Sequence, residues 1–394
     1  MELRYCEEMV RLAISLLCWL IAACAHANVS ALYLSWYDDP TTTMTVQWHA
    51  EPDTETDALH LQKPDGSWQT SHATHRPLGD QYLLVHTLSL TNLQPDTLYH
   101  FRLADEETTY AFRTAPQELT EPLRFLIGGD LYGSPKLFRK MSQTAAKLEP
   151  LFAVLGGDLA YALNPLPLQL RSNPLKKWRQ FLAEWQELMV GAGGRLIPFL
   201  VVPGNHDIAP DDYALFFDLF AFPAKQLYRT VDFGTYLSLV LLDTGHFHPV
   251  QGRQTLWLDQ ALANRDHVPF VWAIYHVGAY PSFYSDQDSL AKKVRTHWCP
   301  LFDQHTLQAA FEHHSHTFKE TYPLKGGKVD PAGTLYFGDG AWGVTPRIAQ
   351  NRWYLKVTDR KNHVYCVEMD RKSASIKAVG ITGDVFEETA IQAR

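Results

Sequence analysis

The chain has 394 residues, of which 46% are hydrophobic, 12% aromatic and 20% charged, and its formal net charge is -8. This composition is that of a globular protein, excludes disordered and collagen-like chains, and at this length predicts two domains. General nucleic-acid binding is not expected, because the chain is mildly acidic and has no run of Lys or Arg to neutralise a phosphate backbone.

The amino terminus has the pattern of a secretory signal. An apolar run from Leu12 to Cys24 lies behind Arg11 and is followed by small residues typical of a cleavage site. The run is too short to span a bilayer comfortably, and no second run of spanning length follows it. We therefore predict a signal peptide over residues 1–27 and a secreted, periplasmic or extracellular protein without a transmembrane segment.

Two features of this segment leave alternatives open. Ile21-Ala-Ala-Cys24 also resembles a bacterial lipoprotein box, which would make Cys24 a lipid anchor, but the alanine cleavage site competes with it. Met9 is an alternative start to Met1, because the acidic residues between them are unusual in a signal.

Five cysteines are present, and only Cys299 and Cys366 lie beyond the predicted signal peptide. An oxidising compartment would allow them to form one disulfide. Two buried free thiols fit the sequence equally well, so the pairing stays open.

Residues 28–118 are predicted to form an all-β domain of short strands and turns. Apolar and polar residues alternate in Met44–Trp48 and in Tyr99–Leu103, which is the period of half-buried strands. The segment Leu93–Tyr99 resembles the tyrosine corner of fibronectin type III domains. We therefore expect a fibronectin type III-like β-sandwich.

Residues 119–394 are predicted to form an α/β domain, because apolar strand-like runs alternate there with helical segments. An apolar stripe at helical spacing begins at Pro174 and indicates a helix that faces the core. The predicted strands are Leu123–Ile127, Leu151–Leu155, Ile197–Val202, Tyr236–Leu242, Phe270–Tyr275 and Leu307–Phe311.

Metal-ligating residue types stand directly after five of these runs. A single Gly-Asp or His at such a place is explained by a turn or by core packing. Five in succession favour a site with two metal ions, because ligands collect at the carboxyl ends of strands. The five blocks are Gly128-Gly-Asp130, Gly156-Gly-Asp-Leu-Ala-Tyr161, Gly204-Asn-His-Asp207, His276 and His313-His-Ser-His316.

These blocks resemble the five motifs of the purple acid phosphatase branch of the calcineurin-like metallophosphoesterases. The resemblance covers essentially all of the predicted mature chain. It implies an α+β, two-domain protein: an amino-terminal fibronectin type III-like sandwich, then a four-layer α/β metallophosphoesterase domain with a mixed β-sandwich core. Two positions depart from the motifs: Gly133 is displaced by one residue, and His313 replaces a Gly.

The resemblance implies seven metal ligands in two overlapping sets. The set for one metal is Asp130, Asp158, Tyr161 and His316. The set for the other is Asp158, Asn205, His276 and His314, so that Asp158 bridges the two ions. Carboxylate and phenolate suit Fe(III), whereas imidazole and amide ligands suit a divalent ion such as Zn, Fe(II) or Mn.

His206 matches the family's catalytic histidine that is not a ligand. Its implied role is to stabilise the phosphoryl oxygens or to protonate the leaving alkoxide, with Asp207 orienting it. His246 and His248 also alternate like ligands, but they follow a strand outside the five blocks, and we assign them to a solvated loop.

The implied activity is hydrolysis of phosphate monoesters at acid pH, with hydroxide generated at the two metals attacking a phosphorylated small molecule or protein. Two alternatives stay open. The same metals would serve a phosphodiesterase or nucleotide hydrolase, or a secreted binding protein would retain a degenerate phosphatase domain. The sequence does not determine the oligomeric state.

Overall fold

A computed structural model describes the chain from residue 29 onward, apart from short internal gaps. The predicted signal peptide and Cys24 lie outside the described residues. No helix within the described part is long and apolar enough to cross a bilayer. The described residues are 29–52, 57–78, 83–104, 106–163, 173–208, 214–220, 222 and 226–394.

The amino-terminal part is built from antiparallel strands in two sheets. One sheet has the order β1-β2-β6-β5, and the other contains β8-β7-β3-β4. The segments predicted from alternation are strands β2 and β7, and the Gln94 N–H donates to Tyr99 Oη at 2.8 Å, as in a tyrosine corner. The strands are β1 (Val29–Ser35), β2 (Met44–Ala50), β3 (Ala58–Gln62), β4 (Trp68–His72), β5 (Thr74–Pro77), β6 (Leu84–Leu90), β7 (Leu98–Leu103) and β8 (Tyr110–Arg113).

The second part contains two mixed sheets that pack face to face. Their orders are β13-β10-β9-β23-β24-β25 and β14-β15-β16-β17-β21-β18-β22. Phe125 and Trp272 meet between them with ring centroids 6.0 Å apart. The strands are β9 (Leu123–Gly128), β10 (Ala153–Leu155), β11 (Val190–Gly191), β12 (Arg195–Leu196), β13 (Phe199–Val201), β14 (Arg229–Phe233), β15 (Leu237–Leu241), β16 (Phe270–Val277), β17 (Ala309–His313), β18 (Phe318–Thr321), β19 (Leu324–Lys325), β20 (Lys328–Val329), β21 (Leu335–Gly338), β22 (Leu355–Asp359), β23 (His363–Met369), β24 (Ser373–Gly380) and β25 (Val385–Gln392).

Helices cover the outer faces of both sheets, which gives the expected four layers. Helices α1 and α2 pack on the first sheet, where Trp185 contacts Phe199 with centroids 5.0 Å apart. Helices α4 to α6 pack on the second, where Trp298 contacts Tyr275. The helices are α1 (Pro135–Ala146), α2 (Pro174–Leu188), α3 (Ala214–Leu219), α4 (Arg253–Ala263), α5 (Ser289–His297) and α6 (Cys299–Gln304), with a short 3-10 turn at Ala192–Gly194.

All six predicted strands of the second part are present, and α2 begins at Pro174 as predicted. The helix starts there because Asn173 accepts a hydrogen bond from the Lys176 N–H and Pro174 needs no acceptor in the first turn.

The two parts of the chain share a sheet. Strands β11 and β12 extend the sheet of β8, with Arg195 paired to Ala111. The Leu32 N–H also donates to Gln186 Oε1 at 2.8 Å. Residues on both sides of the predicted boundary at 118/119 are thus joined, and that boundary itself stays a prediction.

Cys299 and Cys366 are both buried free thiols, so the disulfide alternative is not realised. The Tyr336 hydroxyl donates to Cys299 Sγ at 3.4 Å. Burial raises the pKa of the Cys366 thiol to about 11, which keeps it protonated and unreactive.

Candidate metal centre

The strand ends named in the sequence converge on one edge of the sandwich. Strands β9, β10 and β13 run parallel in one sheet, and β16 and β17 run parallel in the facing sheet. The loops after β9 and β10 lie side by side, since the Asp130 N–H donates to Gly157 O and the Leu131 N–H to Asp158 O, both at 2.9 Å. The ligand residues are therefore positioned by backbone pairing.

One group of donors surrounds Asp130. Asp130, Asp158 and His316 each offer one atom, and these atoms lie within 4.8 Å of one another. Tyr161 Oη lies 3.2 Å from Asp130 Oδ1 and 3.1 Å from His316 Nε2. The structure thus brings together the four residues assigned to the first metal.

A second group shares Asp158 with the first. Donor atoms of Asp158, His276 and His314 also lie within 4.8 Å of one another. His276 Nε2 lies 3.3 Å from Asp158 Oδ2 and 3.2 Å from Asn205 Oδ1. The other ring nitrogen of His276 contacts the Gly156 carbonyl at 2.9 Å, which leaves Nε2 directed at the group.

The carboxylates of this site have no lysine or arginine partner among the described residues. Asp130 and Asp158 are 0% and 1% exposed. Within the described part of the chain, their ion-pair partners are histidines alone. Asp158 Oδ2 is buried and receives no well-aligned hydrogen bond from any described residue. Burying a carboxylate in this way is costly unless a cation compensates it, so these residues fit a dinuclear metal-binding site.

Backbone strain is concentrated in the same residues. Non-glycine residues with positive φ cost of order 1–3 kcal/mol each and cluster at functional sites. Five of the seven assigned ligands have φ between 50° and 75°: Asp130, Asp158, Tyr161, His314 and His316.

Burial and the neighbouring carboxylates together set the protonation states of the ligands. Burial lowers the pKa of His314 well below its usual value, so this imidazole is neutral and able to bind a cation. Burial and then the charge of Asp130 raise the pKa of Tyr161 well above normal, so its phenol stays protonated unless a cation binds. Burial alone would lower the pKa of His276, but the charge of Asp158 outweighs it and raises the value to about 10.

His206 lies at the site, but Asp207 does not orient it by a hydrogen bond. His206 Nδ1 contacts Leu163 O at 2.7 Å, and its ring stacks on Tyr161 at 4.7 Å. The carboxylate of Asp207 instead accepts the Leu159 N–H at 2.8 Å and a second N–H from its own loop. Asp207 therefore ties two ligand loops together, because its buried oxygens are both taken by backbone donors.

His313 accounts for one departure from the family motifs. Its buried ring packs into the Gly-Gly turns before both aspartates, and a Cβ atom at Gly156 would lie 1.9 Å from His313 Nε2. A Cβ at Gly129 would lie 2.6 Å from His313 Nδ1. The ring thus occupies space that only glycines leave open, and His313 is a packing residue between the two halves of the site.

His246 was assigned to a solvated loop, yet the structure places it beside the site. Its ring centroid lies 5.7 Å from that of His276. The carboxylate of Asp243 holds the loop by accepting the N–H groups of His246 at 2.8 Å and Phe247 at 2.9 Å. The sequence did contain a signal for this position. Asp243 also follows an apolar run, and the strand formed by that run, β15, pairs with β16, which carries His276.

Comparison with known proteins agrees with this geometry. Residues 123–320, about half of the chain, match the family described as calcineurin-like phosphoesterase. The chain is a calcineurin-like phosphoesterase. Residues 29–114 of this phosphoesterase match the amino-terminal domain of purple acid phosphatases, which identifies it as a member of the purple acid phosphatase-like group.

The phosphoesterase has distant relatives in bacteria and plants. An uncharacterized protein of Mycobacterium tuberculosis is 25% identical over 346 residues, which cover 76% of this chain and 63% of the relative. Purple acid phosphatase 13 of Arabidopsis thaliana is 23% identical over 299 residues, covering 66% of this chain and 54% of that protein. The phosphoesterase thus spans less than two thirds of the length of these relatives.

Solved structures share its fold. Purple acid phosphatase PPD1 from seeds of yellow lupin (Lupinus luteus) superposes with a TM-score of 0.76 at 16% identity, covering 92% of this chain and 74% of that one. A structure of PhoD gives a TM-score of 0.63 at 11% identity, covering 92% and 88%. At 92% coverage of this chain, both superpositions extend well beyond the phosphoesterase match at residues 123–320.

Proposed function

We propose that this phosphoesterase hydrolyses phosphate monoesters at acid pH, at a centre of one Fe(III) and one divalent ion. The observation that carries the proposal is the difference between the two donor groups that share Asp158. One adds Asp130, the Tyr161 phenol and one imidazole, that of His316, and the other adds two imidazoles and the amide of Asn205. The carboxylate of Asp130, and the phenolate that Tyr161 becomes when a cation binds, are hard anionic ligands. The names of the plant relatives, purple acid phosphatases 13 and 15, support the same activity.

The residues of the site fall into two groups, those that would hold cations and one that would transfer a proton. The seven donors named above would hold the two ions, with Zn, Fe(II) or Mn at the divalent position. When bound, such ions lower the pKa of water and neutralise charge on the phosphate. The chain fixes where they would sit, because the ligands lie at or just after strand ends and backbone hydrogen bonds join the loops of Asp130 and Asp158.

His206 is the residue that we assign to proton transfer. Its Nδ1 is engaged by Leu163 O, so Nε2 is the free ring nitrogen, and it lies 4.0 Å from Asp158 Oδ2. The side chain is 25% exposed, which leaves it within reach of a substrate. In this role Nε2 would protonate the leaving oxygen or stabilise a phosphoryl oxygen.

The test is hydrolysis of p-nitrophenyl phosphate across pH by the purified protein, with metal content and visible spectrum recorded on the same sample. We expect an acid optimum, two metal ions per chain and a tyrosinate-to-iron charge-transfer band. Asp158→Asn should lower kcat/KM by about 10³-fold, because it removes the bridge between both groups. Asp384→Asn, which changes an exposed turn, is the matched control.

Two other results would redirect the proposal. Faster hydrolysis of bis(p-nitrophenyl) phosphate than of the monoester would favour the phosphodiesterase alternative. A metal-loaded wild type that cleaves neither ester would favour the binding-protein alternative. Full activity without bound metal would contradict all enzyme hypotheses based on this site.

The cellular location is a separate proposal that rests on the amino-terminal sequence. We infer export by the signal at residues 1–27, with lipid attachment at Cys24 as the alternative. Cell fractionation and the mass of the mature amino-terminal peptide distinguish these outcomes, and an uncleaved cytosolic chain would contradict both.

A further inference from the structure

A cavity of about 620 Å³ opens beside the metal centre. Tyr161 and His316 of the centre form part of its wall, and Phe283, Arg347 and Arg360 form another part. The described lining residues include two arginines and no carboxylate. The chamber next to the proposed phosphate site is therefore basic, although the chain as a whole carries a net charge of -8.

Arg347 is held in a fixed place relative to both metal groups. Its backbone N–H donates to His316 O at 2.7 Å, and its Nη1 donates to Tyr284 Oη at 2.6 Å. Its Cζ lies 4.9 Å and 5.1 Å from the ring centroids of Phe283 and Tyr284. The Tyr284 ring in turn stacks on His314 at 4.5 Å. Stacking and hydrogen bonding pre-organise the guanidinium, so binding an anion there costs little side-chain freedom.

Neither arginine of the cavity has an ion-pair partner among the described residues. By contrast, the nearby Arg352 lies 3.1 Å from a carboxylate oxygen of Asp286. Arg360 Nε donates only to a backbone carbonyl, that of Pro346, at 2.9 Å. Arg347 has one hydrogen bond from its side chain and four further N–H donors that no described group accepts. Fixed guanidinium groups without a protein anion are suited to an anion from outside.

We propose that Arg347, with Arg360 beside it, binds a second anionic group on the leaving part of the substrate. The enzyme would then prefer phosphate esters whose alcohol carries a carboxylate or another phosphate. Arg347 is a specificity-determining residue in this proposal, which rests on the proposed monoesterase function. Its position supports the assignment, because Tyr161 and His316 of the metal centre line the same cavity as the two arginines.

The test compares two aryl phosphates of nearly equal shape, 4-carboxyphenyl phosphate and 4-carbamoylphenyl phosphate. The proposal predicts that Arg347→Gln lowers kcat/KM about tenfold or more for the carboxylate ester, through KM. The same change should alter the value for the carbamoyl ester by no more than about twofold. Arg371→Gln, a mostly exposed arginine paired with Glu118, removes the same charge elsewhere and should affect both esters equally.

Binding is measured separately from turnover, by calorimetric titration of the non-hydrolysable 4-carboxyphenylphosphonate. Arg347→Gln should weaken its binding about tenfold, and Arg347→Lys should restore part of it. Equal losses on both esters would overturn the proposal, since Arg347 would then contact the scissile phosphate. Unchanged kinetics and binding would also overturn it. Inactivity of the wild type on every ester contradicts the monoesterase proposal instead, and the phosphonate titration still tests Arg347.

Discussion

Two adjacent clusters of buried charge are balanced in different ways in this phosphoesterase. In the metal centre, Asp130 and Asp158 face histidines, a phenol and an amide, with no side-chain ammonium or guanidinium among the described partners. In the second cluster, the buried ammonium of Lys319 lies between the buried carboxylates of Glu312 and Asp339. We call these three residues the Lys319 cluster.

The Lys319 cluster is closed within the chain. Lys319 Nζ lies 3.0 Å from Asp339 Oδ1 and also contacts Glu312, whose carboxylate accepts the Tyr275 hydroxyl at 2.7 Å. The backbone carbonyl of Asp339 accepts the N–H of His316, so the cluster supports a ligand loop. In the Lys319 cluster a lysine of the chain lies against the buried carboxylates, whereas the carboxylates of the neighbouring centre have no lysine or arginine partner among the described residues and would be compensated by bound cations.

The largest expected effect comes from breaking the Lys319 cluster. Lys319→Met would leave two buried carboxylates without a cation and should lower the free energy of unfolding by about 3–5 kcal/mol. Urea denaturation measures this loss. Lys377→Met removes a more exposed lysine paired with Glu368 and should cost about 1 kcal/mol or less. Equal stability of the two variants would contradict the view that the Lys319 cluster is structural.

The stability provided by the metal centre should depend on bound cations, whereas that of the Lys319 cluster should not. Cations that bind only the folded chain at 100 times their Kd stabilise it by about 2.7 kcal/mol, so chelation should lower the thermal midpoint by several degrees. Zn or Fe added back should restore it. The same chelator should not change the midpoint of Asp158→Asn, which lacks the bridge. If chelation does not change the thermal midpoint of the wild type, the assignment of a metal centre is contradicted.

The strands and the ligand loops of the phosphoesterase part could be predicted from the sequence, but the Lys319 cluster could not. The six strands after residue 119 and helix α2 follow from apolar period and from Pro174, because these are local signals. The loops after those strands carry the seven assigned ligands, so the site was also readable in outline. The Lys319 cluster was not predicted, since its charged members are brought together by pairing of β17, β18 and β21 that no local pattern reveals.

Within the site, too, some residue roles could not be predicted from the sequence, namely those of Asp207, His246 and Arg347. Asp207 has the expected place in the sequence, but its carboxylate accepts the backbone N–H groups of Leu159 and Gly204 and does not bond to His206. His246 and Arg347 reach the site through tertiary contacts of loops outside the five blocks. Side-chain direction and loop packing decide such roles, and sequence spacing does not encode them.

A smaller effect should follow from overpacking between the two halves of the metal centre. The Cβ of Gly156→Ala would overlap the ring of His313 and displace the loop of Asp158, at a cost of about 1–3 kcal/mol and with loss of bound metal. Metal analysis and thermal denaturation measure both effects. The double variant with His313→Ala should regain metal, because the space is vacated. Failure of the double variant to bind more metal than Gly156→Ala would show that His313 is not the obstacle.

The smallest effect concerns a buried histidine outside the metal centre that has no ion-pair partner among the described residues. His49 in β2 is fully buried, and its Nε2 lies 3.2 Å from Tyr33 Oη, while Nδ1 has no hydrogen-bond partner among the described residues. Burial lowers the pKa of His49 to about 3, below the 6.5 of the unfolded chain. The unfolded chain therefore binds more protons between these values, and stability is lost as pH falls below about 6.5.

This contribution should approach about 1.4 kcal/mol per pH unit below that point, so it destabilises the fold in the acid range of the proposed activity. His49→Gln should reduce the change in the free energy of unfolding between pH 7.5 and 5.5 by about 1.4 kcal/mol, as measured by urea denaturation at each pH. His267→Gln, at an exposed site, should leave the dependence unchanged. An identical slope in wild type and His49→Gln would mean that the acid sensitivity arises elsewhere, with the metal centre as the next region to test.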